Sequence, residues 1–366
     1  MSGLFGLRPN PLDLLGGRFS GYINGKYKKV NERELIAYIA GQAGQAGGDL
    51  LMGIGDDCAV IRRDESRAWL LTMDTLIESV HFDCAFHPPD KLGRKAVSVN
   101  VSDIAAMGGA PAFVLLSVGL PSGFDQHWFT SFADGLTSAC HQYGCLLVGG
   151  DTVASPHGIT LTLTLIGEAD TNNVVYRHGA LPGDDIWVSG SLGFAAAGLE
   201  LLRQKLEPTN PAFAPLREKH LDPTARVMLG RQLAQSGLMH AMMDLSDGLA
   251  TDLAHLCKRS GVGGRVMAAD LPGLAALAPA ARLTGNNPVQ WAISGGEDYE
   301  LLFTAAPIHR ERIHAIGRAC ALALTAVGTI EPGAGVVLLR QSEDGRVVEQ
   351  AVAYQGFDHF PAAGGQ

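Results

Sequence analysis

Apolar residues return every three or four positions in some stretches of the chain and every second position in others. These two periods set out its elements. A helix is expected at 32–46, with Asn31 as its N-cap and Glu32 and Glu34 in the first turn. From Pro88 to Met107, Leu92, Ala96, Val99, Ile104 and Met107 keep helical spacing up to Gly108-Gly109. Residues 125–142 read as an amphipathic helix, and further helices are expected at 193–205, 223–236, 248–260 and 308–321. Strands are expected at Val60-Ile61, Ala68–Met73 and Phe113–Val118, and at Ile159–Ile166, where Thr alternates with apolar residues. Leu146-Leu147-Val148 reads as a buried strand running into Gly149-Gly150-Asp151. A later series lies at Asp185–Ser189, 262–268 and 299–305. It closes with a hairpin, 336–341 with 347–352, turning at 342–346. A Pro-containing loop spans about 207–223, and no repeat of 20–50 residues is present.

Strands and helices mix in both halves, which indicates two α/β or α+β domains. Length agrees, since 366 residues exceed the ~250–300 at which a single core stops growing. The expected division is a poorly ordered extension over 1–30, an N-terminal domain over 31–169, a C-terminal domain over 170–360 and a tail over 361–366. The boundary falls at Glu168–Asn172.

Composition narrows the class. Apolar residues make up 46% and charged residues 18%, which excludes disorder for the bulk of the chain. The net charge of −9 argues against a nucleic-acid binder. The six cysteines show neither C-x-x-C nor zinc spacing and read as buried, reduced thiols. No apolar run nears the ~20 residues of a membrane span, and no basic-then-apolar leader is seen, so a cytoplasmic protein is expected.

The candidate chemistry lies in short acidic motifs beside small residues. In Gly53-Ile54-Gly55-Asp56-Asp57 two carboxylates repel unless a divalent cation joins them, although a solvated turn uses the same residues. Asp74 ends the apolar strand, where an oxygen ligand suits Mg²⁺; Glu78 and His81 follow, His81 being equally able to serve structure. Asp103 lies inside a helix among small apolar residues and must face solvent or be paired. Asp151 follows two glycines, which suit a plain turn or a close approach to a ligand. Asp244-Leu245-Ser246-Asp247-Gly248 opens a helix with Ser246 or Asp247 as N-cap, and a helix start also attracts phosphate. Glu297, Asp298 and Glu300 form a pocket loop or a solvated one, and Arg177 a phosphate clamp or a surface charge. Together the motifs imply a multi-metal phosphate site assembled from most of the chain.

The order and spacing of Gly53–Asp57, Asp74–Phe82, Asn100–Gly108, Gly149–Thr152, Asp244–Leu249, Ser294–Leu301 and Gly356–Phe360 resemble the thiamine-monophosphate kinase family. That family lies within the superfamily of aminoimidazole ribonucleotide synthetase and selenophosphate synthetase. The resemblance covers about 33–360. It implies ATP-dependent phosphorylation of thiamine monophosphate to thiamine diphosphate, the last step in making that cofactor, by in-line transfer assisted by several Mg²⁺ ions. It also implies an α/β N-terminal domain whose sheets join in a homodimer, and an α/β C-terminal domain across a cleft. By the same resemblance Asp57, Thr72, Met73, Asp74, Asp103, Asp151, Asp244 and Asp247 match the metal-binding positions. Met73 stands where members often have Thr. Gly150, Asp151, Arg177 and Ser246 match nucleotide contacts, and His81, Glu297 and Phe357 match positions near the thiamine. A phosphate monoester has a second pKa near ~6 and is already a dianion at pH 7, so no general base is expected. Two alternatives remain. One is another ATP-using member of the superfamily, against which stand Cys58 as the first cysteine and the absence of any after Cys320. The other is a non-catalytic nucleotide binder, against which stand the retained acids.

Overall fold

A computed structural model describes residues 22–23, 26–27, 32–43, 47–206, 209–341 and 344–356. Of these, the residues up to 43 belong to one compact unit and those from 47 onward to another. The first unit contains a two-strand hairpin, β1 (Tyr22–Ile23) with β2 (Lys26–Tyr27), and helix α1 (Glu32–Gln42). α1 stops four residues short of the expected 46, in a stretch rich in glycine, which disfavours helix. Asn31, the rest of the 1–30 extension and the 361–366 tail lie outside the described residues.

The second unit begins with a six-stranded sheet in the order β3-β4-β5-β8-β6-β7. Its strands are β3 (Leu50–Met52), β4 (Ala59–Arg62), β5 (Arg67–Ile77), β6 (Ala110–Pro121), β7 (Leu146–Ser155) and β8 (Thr160–Asp170). Only the β6–β7 pair is parallel. β8 alternates half-buried and buried residues from Thr160 to Ala169, as its Thr/apolar alternation predicts. Helices α2 (Pro89–Ala106) and α3 (Gln126–Tyr143) cover one face. α2 buries 13 of its 18 residues, so it is enclosed on nearly every side. Besides the sheet and α3, it touches α6 (Val227–Ser236) and β10 (Ala241–Asp244) from the following half. Gly230 of α6 permits that approach: a Cβ there would lie 2.0 Å from the Ala105 carbonyl oxygen. Leu92, Val97, Val101 and Ile104 are fully buried on α2, each contributing roughly 1.5–3 kcal/mol.

The other sheet has seven strands in the order β10-β12-β9-β13-β11-β14-β15. They include β9 (Asp185–Ser189), β11 (Gly263–Met267), β12 (Leu301–Ala305) and β13 (Leu324–Glu331), with the hairpin β14 (Gly335–Gln341) and β15 (Val347–Ala351) at one edge. β9, β10 and β12 are buried at every position, because apolar clusters cover both faces. Helices α4 (Phe194–Arg203), α5 (Ala214–Leu221), α7 (Leu249–Ser260), α8 (Leu274–Thr284), α9 (Pro288–Ser294) and α10 (Arg310–Ala319) complete the mixed α/β architecture expected from the sequence.

Several local expectations are corrected. The stretch expected as a loop at 207–223 contains α5, whose short sequence alternates too many charges to show a face. The helix expected from 223 starts at Val227, and β12 starts at Leu301 because Tyr299 adopts φ 48°. Leu146-Leu147-Val148 is not buried: β7 is an edge strand, and Leu146 is 62% and Val148 55% exposed. β7 also runs on through Gly149, Gly150 and Asp151, which are strand rather than turn. All six cysteines are free, but Cys84 is exposed and Cys320 half-buried.

Candidate active site

The long strand β5 carries Thr72 and Asp74 on the face that α2 covers. Pleating turns Met73 to the open face, where it is 64% exposed. The last turns of α2 carry Asn100, Ser102 and Asp103. Asp244 ends β10, and Asp57 lies just before β4. These elements bring carboxylate oxygens of Asp57, Asp103 and Asp244 within 4.8 Å of one another. Thr72 Oγ1 donates to Asp103 Oδ2 at 2.5 Å, and Ser102 Oγ donates to Asp244 Oδ2 at 2.6 Å. The Asp74 amide donates to Asn100 Oδ1 at 3.0 Å, tying β5 to α2.

Arg177 closes the cluster. Its Nη2 donates to Asp57 Oδ1 at 2.5 Å, and its backbone amide donates to both oxygens of Asp56 at 3.2 Å. Among the described residues, Asp57 Oδ2 and Arg177 Nε are buried without a hydrogen-bond partner. An unsatisfied anion beside an unsatisfied guanidinium N–H is costly to bury empty, and it suits a cation and a phosphate oxygen respectively.

So many acids cannot all ionise cheaply in one dry place. Burial, then Asp57, pushes the Asp74 carboxyl up to about 6, and the same two causes push Asp244 up to about 8. Burial, then Asp74 and Asp244, holds Asp103 well above the usual carboxylate range. Asp56 is pushed up to about 7 by burial and by Asp57. The donor set consists of carboxylate and hydroxyl oxygens, the ligands of hard divalent cations.

Other expected site residues lie elsewhere. Asp151 is exposed on β7, with its carboxylate accepting from the Thr152 amide at 2.9 Å. The register row Thr75–Thr162–Ser117–Asp151 places it three strand spacings from β5, ~14 Å. Gly150 is required by packing, since a Cβ would lie 1.7 Å from the Leu116 carbonyl oxygen. Ser246 and Asp247 lie in the loop between β10 and α7, but neither caps the helix: Gly248 does, at φ 101°. Phe357 lies outside the described residues. Asp252 was missed. It is buried in the first turn of α7, accepts from the Asp247 amide at 3.2 Å, and is raised well above the usual range by burial, then by Asp247 and Asp244. Its signal was available: it stands on the apolar stripe Leu249, Leu253 and Leu256, where a charge is out of place.

A cavity of about 250 Å³ is lined by His81, Phe82, Phe86, Arg203, His220 and Glu297, among others. His81 and Glu297, distant in sequence, meet here. His81 Nδ1 accepts from the Ile77 amide at 3.0 Å, which places the ring proton on Nε2. The acidic loop after α9 divides its work. Asp298 accepts from the Gly193 and Ala195 amides at 2.5 and 3.1 Å and holds the start of α4. Glu300 binds Ser189, Lys219 and Arg226 in the interior. Glu297 alone faces the cavity. Tyr299, two residues on from Glu297, is buried, and burial, then the charges of Glu297, Asp74, Asp244 and Asp103, pushes its hydroxyl up.

Residues 55–169 match the family model described as AIR synthase related protein, N-terminal domain, and residues 182–354 match its C-terminal domain. The curated thiamine-monophosphate kinase of Salmonella typhimurium is 38% identical over 314 residues, covering 85% of this chain and 93% of its own. That of Aquifex aeolicus is 39% identical over 307 residues, covering 84% and 92%. The chain belongs to the thiamine-monophosphate kinase family. A solved member of the family, AaThiL complexed with AMPPCP and TMP, superposes with a TM-score of 0.77 at 37% identity, covering 90% of this chain and 97% of that one.

Proposed function

We propose that this chain transfers the γ-phosphoryl group of ATP to thiamine monophosphate, giving thiamine diphosphate and ADP. One observation carries the reading: three carboxylates within 4.8 Å, with an unpartnered Asp57 oxygen and an unpartnered Arg177 N–H beside them. A family member holding AMPPCP and TMP supports it.

Asp57, Asp74, Asp103 and Asp244 would hold Mg²⁺, with Thr72 and Asp247 beside them. Met73 turns its side chain to the other face of the sheet, so a Met in place of Thr leaves the side-chain ligands unchanged. Several bound Mg²⁺ ions supply charge neutralisation between two polyanions and polarise the transferred group. Arg177 places its free N–H toward a phosphate oxygen, and Ser246 stands in the same loop as Asp247. Gly150 and Asp151, on the exposed edge strand, are assigned to the nucleotide rather than to the acid cluster. His81, Glu297 and Phe357 take the thiamine end. The acceptor is a dianion, so no residue need act as a general base.

A coupled ADP-release assay with thiamine monophosphate, thiamine and aminoimidazole precursors tests the reading. Mg²⁺-dependent ADP release is expected with thiamine monophosphate and not with thiamine. No release with thiamine monophosphate rejects the proposal. Release with an aminoimidazole substrate instead favours another reaction of the superfamily.

The open face of the six-stranded sheet supports a homodimer. Met73, Ile77, Leu115, Leu146, Leu147, Val148 and Val153 are all exposed there or on its edge strand, an apolar surface of the kind that a partner covers. A second copy meeting it sheet to sheet is the proposed occupant. Sedimentation is expected to give twice 38.5 kDa, and Val148→Asp a single chain. A wild-type mass of one chain removes this part of the reading. The division into an ATP- and Mg-binding domain over 31–169 and a C-terminal domain over 170–360 is likewise proposed, on the two sheets. Cytoplasmic location is proposed too; among the described residues no helix is long and apolar enough to cross a membrane.

A further inference from the structure

Lys95 is the anomaly of α2. It is 0% exposed, yet it stands on the stripe Leu92, Ala96 and Val99 that packs into the interior. Its Nζ lies 2.8 Å from Glu297 Oε1. The other oxygen, Oε2, lies 2.9 Å from Nδ1 of His220, itself 1% exposed on α5. One carboxylate thus has a buried nitrogen close to each of its oxygens, from two separate helices, though neither contact has the angle of a hydrogen bond.

Stability does not explain this arrangement. Desolvating a lysine and a glutamate costs several kcal/mol each, and an apolar pair of the same volume serves a core as well or better. The backbone adds a further cost, for Glu297 sits at φ 67°, a region that non-glycine residues seldom occupy. Amides of the same loop bind it to the acid-bearing turn: Glu297 donates to the Ser246 carbonyl at 2.7 Å and Tyr299 to that of Leu245 at 2.8 Å. The whole arrangement delivers one carboxylate, with 22% of its side chain exposed, to the wall of the cavity. A carboxylate accepts about four hydrogen bonds, so two near neighbours leave capacity facing the cavity.

We propose that Lys95 and His220 are positioning residues, which clamp the two oxygens of Glu297 and fix it as a hydrogen-bond acceptor for the amino-bearing ring of the acceptor substrate. This rests on the thiamine-monophosphate reading above. Burial, then Lys95, lowers the pKa of His220 and keeps that ring neutral. Burial raises the Glu297 carboxyl, but the Lys95 ammonium beside it outweighs burial and holds the group ionised. With His220 neutral, the Lys95 and Glu297 charges cancel. The wall therefore recognises an N–H group by direction rather than a cation by charge.

The test compares Lys95→Met, Glu297→Gln and the double variant K95M/E297Q, with KM for thiamine monophosphate and for ATP measured separately. Each single change is expected to raise KM for thiamine monophosphate on the order of 10- to 100-fold, with KM for ATP within about threefold. The double variant is expected to equal Glu297→Gln alone, because Lys95 acts only through that carboxylate. His220→Asn, which keeps a donor near the Nδ1 position, should retain more affinity than His220→Leu. If Lys95→Met does not fold, the double variant removes both charges together, and its KM against that of Glu297→Gln still decides. Multiplicative effects in the double variant, or equal losses for both substrates, overturn the clamp. A wild-type protein that releases no ADP with thiamine monophosphate fails the parent reading instead, so the two failures are distinguishable.

Discussion

Asp103→Asn is expected to stop turnover and, at the same time, to raise the thermal stability of the metal-free chain at pH 8. The carboxylate lies within 4.8 Å of those of Asp57 and Asp244 and is pushed well above its usual range by burial and by its acidic neighbours. Without a cation, an ionised Asp103 is a burden on the fold, and a neutral amide of the same shape relieves it. Asn keeps an oxygen that can accept from Thr72 Oγ1, so the local packing survives. With the metal site weakened, several kcal/mol of transition-state charge stabilisation is lost, on the order of 10³ in kcat. Asp57→Asn separates the two effects. It should cost as much activity but lower the melting temperature, because Arg177 loses the partner that Nη2 binds at 2.5 Å. Steady-state kinetics and thermal unfolding of both variants check this. Asp103→Asn keeping kcat within tenfold of wild type, or both variants losing stability alike, would show that the acids are structural rather than metal-holding.

The contrast between these two aspartates shows what a linear reading reaches. The acids themselves, the helix carrying Asp103 and the strand carrying Asp74 were legible, because helical and strand periods are local. The pairing of Asp57 with Arg177 joins residues 120 positions apart, and no local pattern reports it. Met73 stands beside Asp74 where family members often have Thr. Alternation along β5 turns it to the opposite face, a consequence of register that becomes readable once the strand is known to extend from Arg67 to Ile77. Leu146-Leu147-Val148 misled for a related reason. An apolar run reads as buried, and composition does not distinguish burial in a core from exposure on an edge strand. Asp151 is grouped with the other acids by its motif, a carboxylate after two glycines, and the strand order separates it from them within one chain. Lys95 and Asp252 were overlooked although each breaks an apolar stripe, which is the one sequence signal a buried charge gives.

The acid cluster should also make stability fall as pH rises, the reverse of ordinary acid denaturation, and Mg²⁺ should cancel the fall. Asp56, Asp74 and Asp244 have folded-state pKa values raised to about 7, about 6 and about 8, from 3.8. Groups raised in this way bind more protons folded than unfolded, so stability declines as pH climbs from the unfolded value through the folded one. Below pH 6.5 the trend is opposed. Burial, then Lys95, lowers His87 to about 3 and also lowers His220, and such groups lose stability as pH falls below their ordinary value. Above pH 6.5 the opposing histidine contribution fades, and towards pH 8 the raised aspartates dominate the slope. The melting temperature of the metal-free chain is therefore expected to drop over that interval. Each kcal/mol lost corresponds to roughly 1 °C for a chain of this size. Mg²⁺ binds the ionised carboxylates and displaces their protons, so its stabilising shift should be larger at pH 8 than at pH 6.5. Melting curves at both pH values, with chelator and with millimolar Mg²⁺, decide the matter. A metal-free melting temperature that rises from pH 6.5 to 8, or a Mg²⁺ shift that does not grow with pH, would mean that these carboxylates are ionised and paired without a cation. Asp103→Asn should flatten the slope and shrink the Mg²⁺ shift together, since one deletion removes both a titrating group and a ligand.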